Sequence, residues 1–344
     1  MKKIISKTLA GFMMACVLAL AGCSTEEGGM KSYTIIETGT VTEQTFIDIK
    51  QNVIEYTELS GNPIYIDMSR AVTEKYLEIP RDWLRGCRSL ISINLPDGLT
   101  TIGDEAFASC SSLTSINLPD SLTTIGDEAF YYCRSLTSIN LPDGLTTIGD
   151  EAFEKCTSLT SINLPDGLTT IGDEAFEECT SLTSINLPDS LTTIGDRAFT
   201  YCISLTSINL PDDLTTIGYE AFYYCRSLTS INLPDGLTTI GDSAFSSCSS
   251  LTSINLPDGL TTIGDCTFAS CSSLTSINLP DSLTTLGRAT FSGCSSLTTI
   301  TYAGTISQWR SLLRNSNTNG DFDRNVPSEL VVICSDGTVG LRGN

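Results

Sequence analysis

The sequence contains no histidine among its 344 residues. Histidine is the commonest general base and a frequent metal ligand, because its imidazole changes charge near neutral pH. Its absence removes the usual catalytic triads and the imidazole metal sites. The sequence shows no other pairing of a nucleophile with a base and no cluster of metal ligands. We therefore predict that the protein is not an enzyme and that it uses no metal or cofactor.

Positive charge is also scarce. The chain has 19 Lys and Arg residues against 40 Asp and Glu residues, which gives a formal net charge of −21 at pH 7. Such a balance repels phosphate-rich partners and anionic surfaces at long range. We therefore expect no nucleic-acid partner and no membrane contact driven by charge. Hydrophobic residues make up 40% of the chain, so it can bury a large core.

Long apolar runs are absent beyond the N-terminus. There the basic start MKKIISK is followed by the apolar run from Leu9 to Ala21 and by LAGC at residues 20–23. The run is too short to span a bilayer comfortably and has the arrangement of an exported leader. LAGC resembles the lipobox of bacterial lipoproteins, which implies a signal peptide over residues 1–22, lipidation at Cys23 and a place in the bacterial envelope, at the outer membrane or cell surface. An uncleaved anchor or a simple secretory signal is the alternative.

The body of the chain is a repeat. From Leu90 to Ser296 it consists of nine consecutive 23-residue units that fit LxxIxLPxxLxxIGxxxFxxCxx, with Leu286 in place of the second isoleucine once. A fixed period of this length with LxxLxL at its centre is typical of leucine-rich repeats. Each unit is expected to form a strand, a Pro-Asp turn, a second wall and a short helical or 3₁₀ turn at DEAF. One coil cannot bury its apolar residues alone, whereas stacked coils bury a continuous column.

We therefore predict an α/β repeat fold, a right-handed leucine-rich-repeat solenoid with stacked parallel strands, short helical turns, and N- and C-terminal caps. Residues 23–40 are predicted to form a lipidated tether, 41–89 an N-terminal cap with a degenerate repeat, 90–296 the nine repeats and 297–344 a C-terminal cap. The caps contain four local signals: a capping-box spacing at Thr40 and Glu43 before a helix, a strand pattern from Ile64 to Ser69, a helix cap at Thr305 and Gln308, and a closing strand from Val331 to Cys334.

The string LPDGLTTIGDEAFEECTSLTSINLP resembles the BspA-type, or treponemal-type, leucine-rich repeats of bacterial surface proteins. The proline after the strand and the IG, AF and cysteine positions all occur in register. The ending, ITYAGTISQWRSL followed by VVICSDGTV, resembles the C-terminal cap of the same family. The resemblance implies a surface-exposed binding scaffold, an adhesin for host extracellular-matrix or plasma proteins, glycans or other cells. A structural spacer or envelope-assembly component without a specific ligand is the alternative.

Two chemical rows recur with the repeat. The cysteines are expected to form a row of buried thiols, because parallel side-chain vectors do not favour disulfides; disulfides or a metal site are the alternative. Cys266 lies off this register and is predicted to be the most reactive thiol. The aspartates after the repeated proline are interpreted as turn residues rather than calcium ligands. The cysteine row is Cys87, Cys110, Cys133, Cys156, Cys179, Cys202, Cys225, Cys248, Cys271 and Cys294, and the aspartate row is Asp97, Asp120, Asp143, Asp166, Asp189, Asp212, Asp235, Asp258 and Asp281.

Two surfaces are candidate binding sites. One is the polar, predicted concave face of the repeated strand. The other is an edge of the stack, where the two residues between phenylalanine and cysteine change from unit to unit; tyrosine and arginine are common interface anchors. The alternative for this edge is that exposed turn positions tolerate any residue. The strand-face candidates are Ser115, Asn117, Ser138, Asn140, Ser161, Asn163, Ser184 and Asn186, and the edge candidates are Tyr131, Tyr132, Arg134, Tyr201, Tyr223, Tyr224 and Arg226.

Overall fold

The computed structural model describes residues 19–21, 33–60, 62–315 and 326–340. Two helices lie outside the repeats, α1 (Glu43–Ser60) and α2 (Ile306–Asn315). The strands up to the middle of the repeats are β1 (Ala19–Ala21), β2 (Tyr33–Ile36), β3 (Thr40–Val41), β4 (Ile64–Asp67), β5 (Val72–Ile79), β6 (Leu90–Asn94), β7 (Asp97–Ile102), β8 (Ser115–Asn117), β9 (Thr124–Ile125), β10 (Thr147–Ile148), β11 (Ser161–Asn163) and β12 (Thr170–Ile171). The remaining strands are β13 (Ser184–Asn186), β14 (Thr193–Ile194), β15 (Ser207–Asn209), β16 (Thr216–Ile217), β17 (Thr239–Ile240), β18 (Thr262–Ile263), β19 (Ser276–Leu279), β20 (Thr285–Leu286), β21 (Thr299–Tyr302), β22 (Val331–Cys334) and β23 (Gly337–Gly340).

The chain divides into two compact units, Met1–Thr170 and Ile171–Asn344. In the first unit, β1, β2, β4, β6 and β8 are neighbours in one sheet, and β3, β5, β7, β9 and β10 are neighbours in another. Strands of successive coils pair in parallel, so that Ile93 lies beside Ile116 and Ile102 beside Ile125. β1 differs because it runs antiparallel to β2.

In the second unit, β14, β16, β17, β18 and β20 form one parallel stack in that spatial order. On the other wall β13 pairs with β15, and single parallel bridges between repeated asparagines lead from Asn209 to Asn278. The stack ends with β19, β21 and β22 in parallel and β23 antiparallel to β22. The predicted solenoid of stacked parallel strands is therefore confirmed, and so is the predicted closing strand from Val331 to Cys334.

The core consists of columns in which one residue type stacks on its own copies. In the second unit the phenylalanine rings are nearly parallel, with centroids 5.4 Å apart for Phe199 and Phe222 and 5.3 Å apart for Phe222 and Phe245. The first unit has a phenylalanine column of its own, which ends at Trp83; this indole meets Phe107 edge-on at 5.7 Å and Phe46 of α1 at 4.9 Å. The Trp83 indole N–H donates to the Phe46 carbonyl, so α1 is fixed against the first coils.

The two predicted helix caps have different outcomes. The capping box at Thr40 and Glu43 is wrong: Thr40 lies in β3, and Thr42 caps α1 instead. Thr42 donates its N–H to Thr45 Oγ1 at 3.1 Å, and its carbonyl accepts from the Phe46 N–H. The second cap is confirmed, because Thr305 N–H donates to Gln308 Oε1 at 2.8 Å and Gln308 N–H donates to Thr305 Oγ1 at 3.2 Å.

The expected helical or 3₁₀ turn at DEAF is wrong for the described coils, which form two successive β-turns there. Ala129 N–H donates to the Gly126 carbonyl, and Cys133 N–H donates to the Phe130 carbonyl. The third residue of each turn has positive φ, 53° at Glu128 and 61° at Tyr132, as a type II turn requires. Backbone N–H groups inside these turns also bond to the next coil: Tyr132 N–H donates to the Glu154 carbonyl.

The N-terminal expectations lie largely outside the described residues. Of the predicted signal peptide, the structure describes only Ala19–Ala21, and Cys23 is not among the described residues. Part of the predicted tether belongs to the sheets, because Tyr33–Ile36 pairs with Ile64–Asp67 and Ile35 is buried. Within the part of the chain that the structure describes, no helix has both the length and the apolar character needed to cross a bilayer.

Candidate binding edge

The edge is built from the second β-turn of each coil. Its third residue, immediately before the repeated cysteine, has positive φ in every described repeat. Three different side chains show the range at this position: Tyr224 with φ 63°, Ser247 with φ 63° and Gly293 with φ 77°. The backbone is therefore the same whether the side chain is large, small or absent. The equivalent residues are Ser109, Tyr132, Lys155, Glu178, Tyr201, Tyr224, Ser247, Ser270 and Gly293.

In the second unit, two neighbouring coils bring three tyrosines together. Tyr201 lies 4.7 Å from Tyr224 and 5.6 Å from Tyr223, measured between ring centroids, and the Tyr223 and Tyr224 rings are 5.3 Å apart. Tyr201 is 36% exposed, and Ile203 on the same coil is 39% exposed. Burial raises the pKa of Tyr223, which keeps its hydroxyl protonated at neutral pH. The structure therefore brings these three predicted edge residues together.

Arg226 completes this group. Its guanidinium carbon lies 4.0 Å from the centroid of the Tyr224 ring, within the range of a cation–π contact. Arg226 is exposed, and none of the carboxylates described in the structure forms an ion pair with it. We call Tyr201, Tyr223, Tyr224 and Arg226 the tyrosine cluster.

The first unit carries a smaller version of the same arrangement. Tyr131 and Tyr132 have ring centroids 5.7 Å apart, and the Arg134 guanidinium carbon lies 3.9 Å from the Tyr132 ring centroid. Arg134 also donates to the Tyr132 hydroxyl. Lys155, one coil further on, places its ammonium 5.3 Å from the Tyr131 ring centroid and pairs with Glu154. We call Tyr131, Tyr132 and Arg134 the tyrosine pair.

Arg197, four residues before Tyr201, is surrounded by carboxylates, unlike Arg226. Arg197 contacts Glu174 at 2.9 Å, Glu177 at 3.0 Å and Glu220 at 3.5 Å. Burial by itself lowers the pKa of Arg197, but the carboxylates of Glu177 and Glu174 outweigh it, so that the pKa is raised. The positive charge of Arg197 is thus neutralised within the protein, whereas that of Arg226 is not.

The polar strand face is exposed as predicted, with each repeated isoleucine buried between an exposed serine and an exposed asparagine. The asparagines contact one another along the stack: Asn209 Nδ2 donates to Asn186 Oδ1 at 3.4 Å. This face is uniform from coil to coil, so it provides no feature that distinguishes one place along it from another. All eight predicted residues of the face, Ser115, Asn117, Ser138, Asn140, Ser161, Asn163, Ser184 and Asn186, are exposed.

The predicted row of buried thiols is confirmed. The repeated cysteines are buried and form no disulfides. Cys225 Sγ donates to the Phe199 carbonyl at 3.2 Å, and Cys248 Sγ donates to the Phe222 carbonyl at the same distance. Burial raises the pKa of Cys248 to about 12, so the reactive thiolate is suppressed at neutral pH. Cys266 is half-buried at the third position of the first turn, and its higher reactivity stays a prediction.

The structure reveals a second aspartate row, after the repeated glycine, that sequence reasoning did not identify. Asp196 Oδ1 accepts the Tyr219 N–H at 2.7 Å, and Asp242 Oδ1 accepts the Asp265 N–H at 2.7 Å, so each carboxylate bonds the backbone of the following coil. The recurrence of the dipeptide Gly-Asp was the available signal. The other row, after proline, occupies exposed turns as predicted, with Leu122 N–H bonded to the Pro119 carbonyl.

Comparison with known families identifies these coils. The family model described as BspA type Leucine rich repeat region, in six copies, matches residues 77–205 and 192–318. The chain belongs to this family.

Solved structures place this BspA-type chain among leucine-rich-repeat proteins. It is similar to a leucine-rich repeat protein from Bacteroides ovatus, with 29% identity, a TM-score of 0.66, and coverage of 94% of this chain and 79% of that one. It shares its fold with the pneumococcal vaccine antigen PcpA, at 17% identity, a TM-score of 0.50, and coverage of 96% and 89%. A leucine rich cell surface protein from Faecalibacterium prausnitzii matches at 25% identity, a TM-score of 0.42, and coverage of 88% and 98%. No curated protein matches the chain.

Proposed function

We propose that this BspA-type protein is a non-enzymatic binding scaffold, and that it acts as an adhesin for host proteins, glycans or other cells through its tyrosine-bearing edge. The observation that carries the proposal is the tyrosine cluster. Three rings within 5.6 Å of one another and an arginine without an ion-pair partner among the described residues form a surface group. Tyrosine and arginine supply a disproportionate share of binding energy at interfaces.

The fold itself does not need these tyrosines. Ser247 and Ser270 occupy the position of Tyr224 in the next two coils with the same backbone conformation, and Ser246 occupies the position of Tyr223. Aromatic side chains that are only partly covered and that packing does not require are better explained by a partner than by stability. This argument favours recognition over the spacer alternative.

The test is a binding assay on the purified protein and on a variant with Tyr131, Tyr132, Tyr201, Tyr223 and Tyr224 replaced by serine. Extracellular-matrix proteins, plasma proteins and glycans are immobilised, and both proteins are titrated over them. Because serine occupies the same positions in other coils, the variant should keep the wild-type circular dichroism spectrum. Saturable binding that the variant loses would support the proposal.

A matched control carries alanine at five exposed serines of the strand face, including Ser184 and Ser207. Loss of binding in this control, with normal binding by the tyrosine variant, would move the site to the strand face. Absence of binding by every protein, together with an in vivo phenotype that depends on the number of repeats alone, would favour the spacer.

We also propose that the protein is lipid-anchored in the cell envelope at Cys23. The support is the run from Leu9 to Ala21 followed by LAGC, which combines a short apolar segment with a lipobox-like cysteine. Metabolic labelling with an alkyne fatty acid should mark the wild-type protein and leave Cys23→Ser unlabelled. Equal labelling of both would place any lipid elsewhere, and labelling of neither would favour a simple secretory signal.

A further inference from the structure

The tyrosine pair and part of the tyrosine cluster are two copies of one surface motif. The segment 129–150, which begins AFYYCRS, is repeated without a single change at 221–242. The geometry is repeated too: the guanidinium carbon lies 3.9 Å from the ring centroid for Arg134 on Tyr132 and 4.0 Å for Arg226 on Tyr224. We call Tyr132 with Arg134, and Tyr224 with Arg226, the two Tyr-Arg sites.

The guanidinium groups of these sites differ from those of several other arginines of the chain, whose charge is neutralised by carboxylates. Arg81 pairs with Glu105, Arg197 with Glu177, and Arg288 with Asp265. Among the side chains that the structure describes, no carboxylate forms an ion pair with Arg134 or Arg226. Each instead stacks on a tyrosine ring, which limits its motion; Arg134 uses one N–H on the Tyr132 hydroxyl, and the other donors of the fork stay available. A held guanidinium with free donors is suited to a carboxylate that comes from outside the protein.

The surroundings narrow the chemistry of the ligand. The formal net charge of −21 opposes the approach of dense polyanions, so the ligand should carry isolated negative charges on an otherwise neutral body. At the positions equivalent to Tyr132 and Arg134, the preceding coil presents the hydroxyls of Ser109 and Ser111. At the second site the following coil presents those of Ser247 and Ser249. The serine hydroxyls on this flank of each site can donate to and accept from the hydroxyls of a sugar, so the flank suits an acidic sugar better than a peptide, which gains its affinity from apolar side chains in pockets.

We propose that each Tyr-Arg site binds the carboxylate of one acidic sugar residue, with the sugar against the tyrosine ring. This inference rests on the proposed function and specifies its ligand.

The chain contains a matched control for this idea. Arg88 follows Cys87 as Arg134 follows Cys133, and its N–H bonds to the Gly86 carbonyl at 2.8 Å just as that of Arg226 bonds to Tyr224 at 2.8 Å. Glycine replaces the tyrosine there, so Arg88 has the same coil position and the same charge without the ring. Arg88→Gln therefore controls for charge, whereas Arg134→Gln and Arg226→Gln remove the sites one at a time.

The experiment follows arginine Nε–H signals of the ¹⁵N-labelled protein by NMR, with each Arg→Gln variant assigning one signal. Sialyllactose, a neutral disaccharide with one acidic sugar attached, should shift the signals of Arg134 and Arg226 and leave that of Arg88 in place, and its methyl ester should shift none of them. Each substitution should weaken binding at its own site by at least about tenfold, since hydrogen bonds to charged groups are the strongest of their class. Tyr224→Ser should weaken the second site and spare the first.

Three results would overturn the inference: equal shifts at Arg88, equal shifts with the methyl ester, or equal shifts with hexaglutamate, which would assign the sites to acidic peptides. The two proposals fail in distinguishable ways. If the tyrosine-to-serine variant loses a macromolecular partner while Arg134→Gln and Arg226→Gln bind it normally, the edge is functional and the acidic-sugar assignment is wrong.

Discussion

Replacing Cys248 by serine should make the protein less sensitive to alkali. The Cys248 thiol is buried, donates to the Phe222 carbonyl at 3.2 Å, and has a pKa that burial raises from 9.0 to about 12. Because the folded pKa exceeds the unfolded one, the thiol contributes its full stability below pH 9 and loses it as the pH rises from 9 towards 12. Between pH 8 and pH 10 the loss is about 1.4 kcal/mol, since the exposed thiol in the unfolded chain ionises over that range.

The repeat multiplies this effect, because one such thiol lies in each coil. Burial raises the pKa of eight further cysteines of the row in the same direction. If all their coils unfolded together, the nine thiols would remove about 12 kcal/mol between pH 8 and pH 10. That is comparable to the whole stability of an ordinary domain, so alkaline unfolding of this protein should be steep.

Urea unfolding followed by circular dichroism, with reductant present, would measure the effect at pH 8, 9 and 10. The serine hydroxyl can keep the hydrogen bond to Phe222 but does not titrate in this range. The difference in free energy of unfolding, Cys248→Ser minus wild type, should therefore increase by about 1.4 kcal/mol from pH 8 to pH 10. Tyrosines and lysines also titrate, but they are the same in both proteins. Parallel pH profiles for the two proteins would refute the reasoning.

Three further substitutions test the backbone of the coil by chemical denaturation. Ser247→Gly should stabilise the protein by about 0.5–1 kcal/mol, because φ is 63° there; Ser249→Gly, where φ is not positive, should destabilise it, and equal effects would contradict this account. Asp242→Ala should cost about 1–2 kcal/mol by leaving the N–H of the next coil without its acceptor, whereas Asp242→Asn should retain most of that stability. Gly218→Ala should cost about 1–3 kcal/mol, since its Cβ would lie 2.6 Å from a side-chain oxygen and 2.8 Å from backbone; Gly236→Ala, with 3.4 Å to its nearest neighbour, is the tolerated control.

The sequence predicts those parts of the fold that the spacing of the apolar residues determines. The strand pairing, the buried isoleucines and phenylalanines and the buried thiols all follow from a fixed period of 23, because identical coils must stack in register. The cap of α2 was also predictable, since Thr305 and Gln308 satisfy each other's backbone N–H groups within one turn of chain. Its geometry needs no distant partner.

The parts that could not be predicted depend on bonds between coils. DEAF has residues compatible with a helical turn, but Glu128 N–H bonds to the Asp150 carbonyl of the next coil, and this partner fixes a positive φ that local propensity disfavours. The cap of α1 was misplaced for a related reason. Thr40 is held in β3 by pairing with Val72, so the helix could begin only after Thr42. In both places a long-range hydrogen bond overrides the local signal.

The same inter-coil bonds explain why the edge can carry function. At Tyr224 the positive φ is held by the backbone, because its N–H donates to the Ser246 carbonyl at 2.9 Å and its carbonyl accepts from Arg226 N–H at 2.8 Å. Ser247 makes the equivalent pair of bonds with Ala269 and Ser249. The side chain at this position therefore contributes little to holding the coil, and it can change between repeats at small cost in stability.

The buried columns lack this freedom, since each ring or thiol contacts its own copies above and below. A ligand-binding surface should accordingly develop on the edge, where the residue before the cysteine changes from coil to coil, rather than on the uniform strand face.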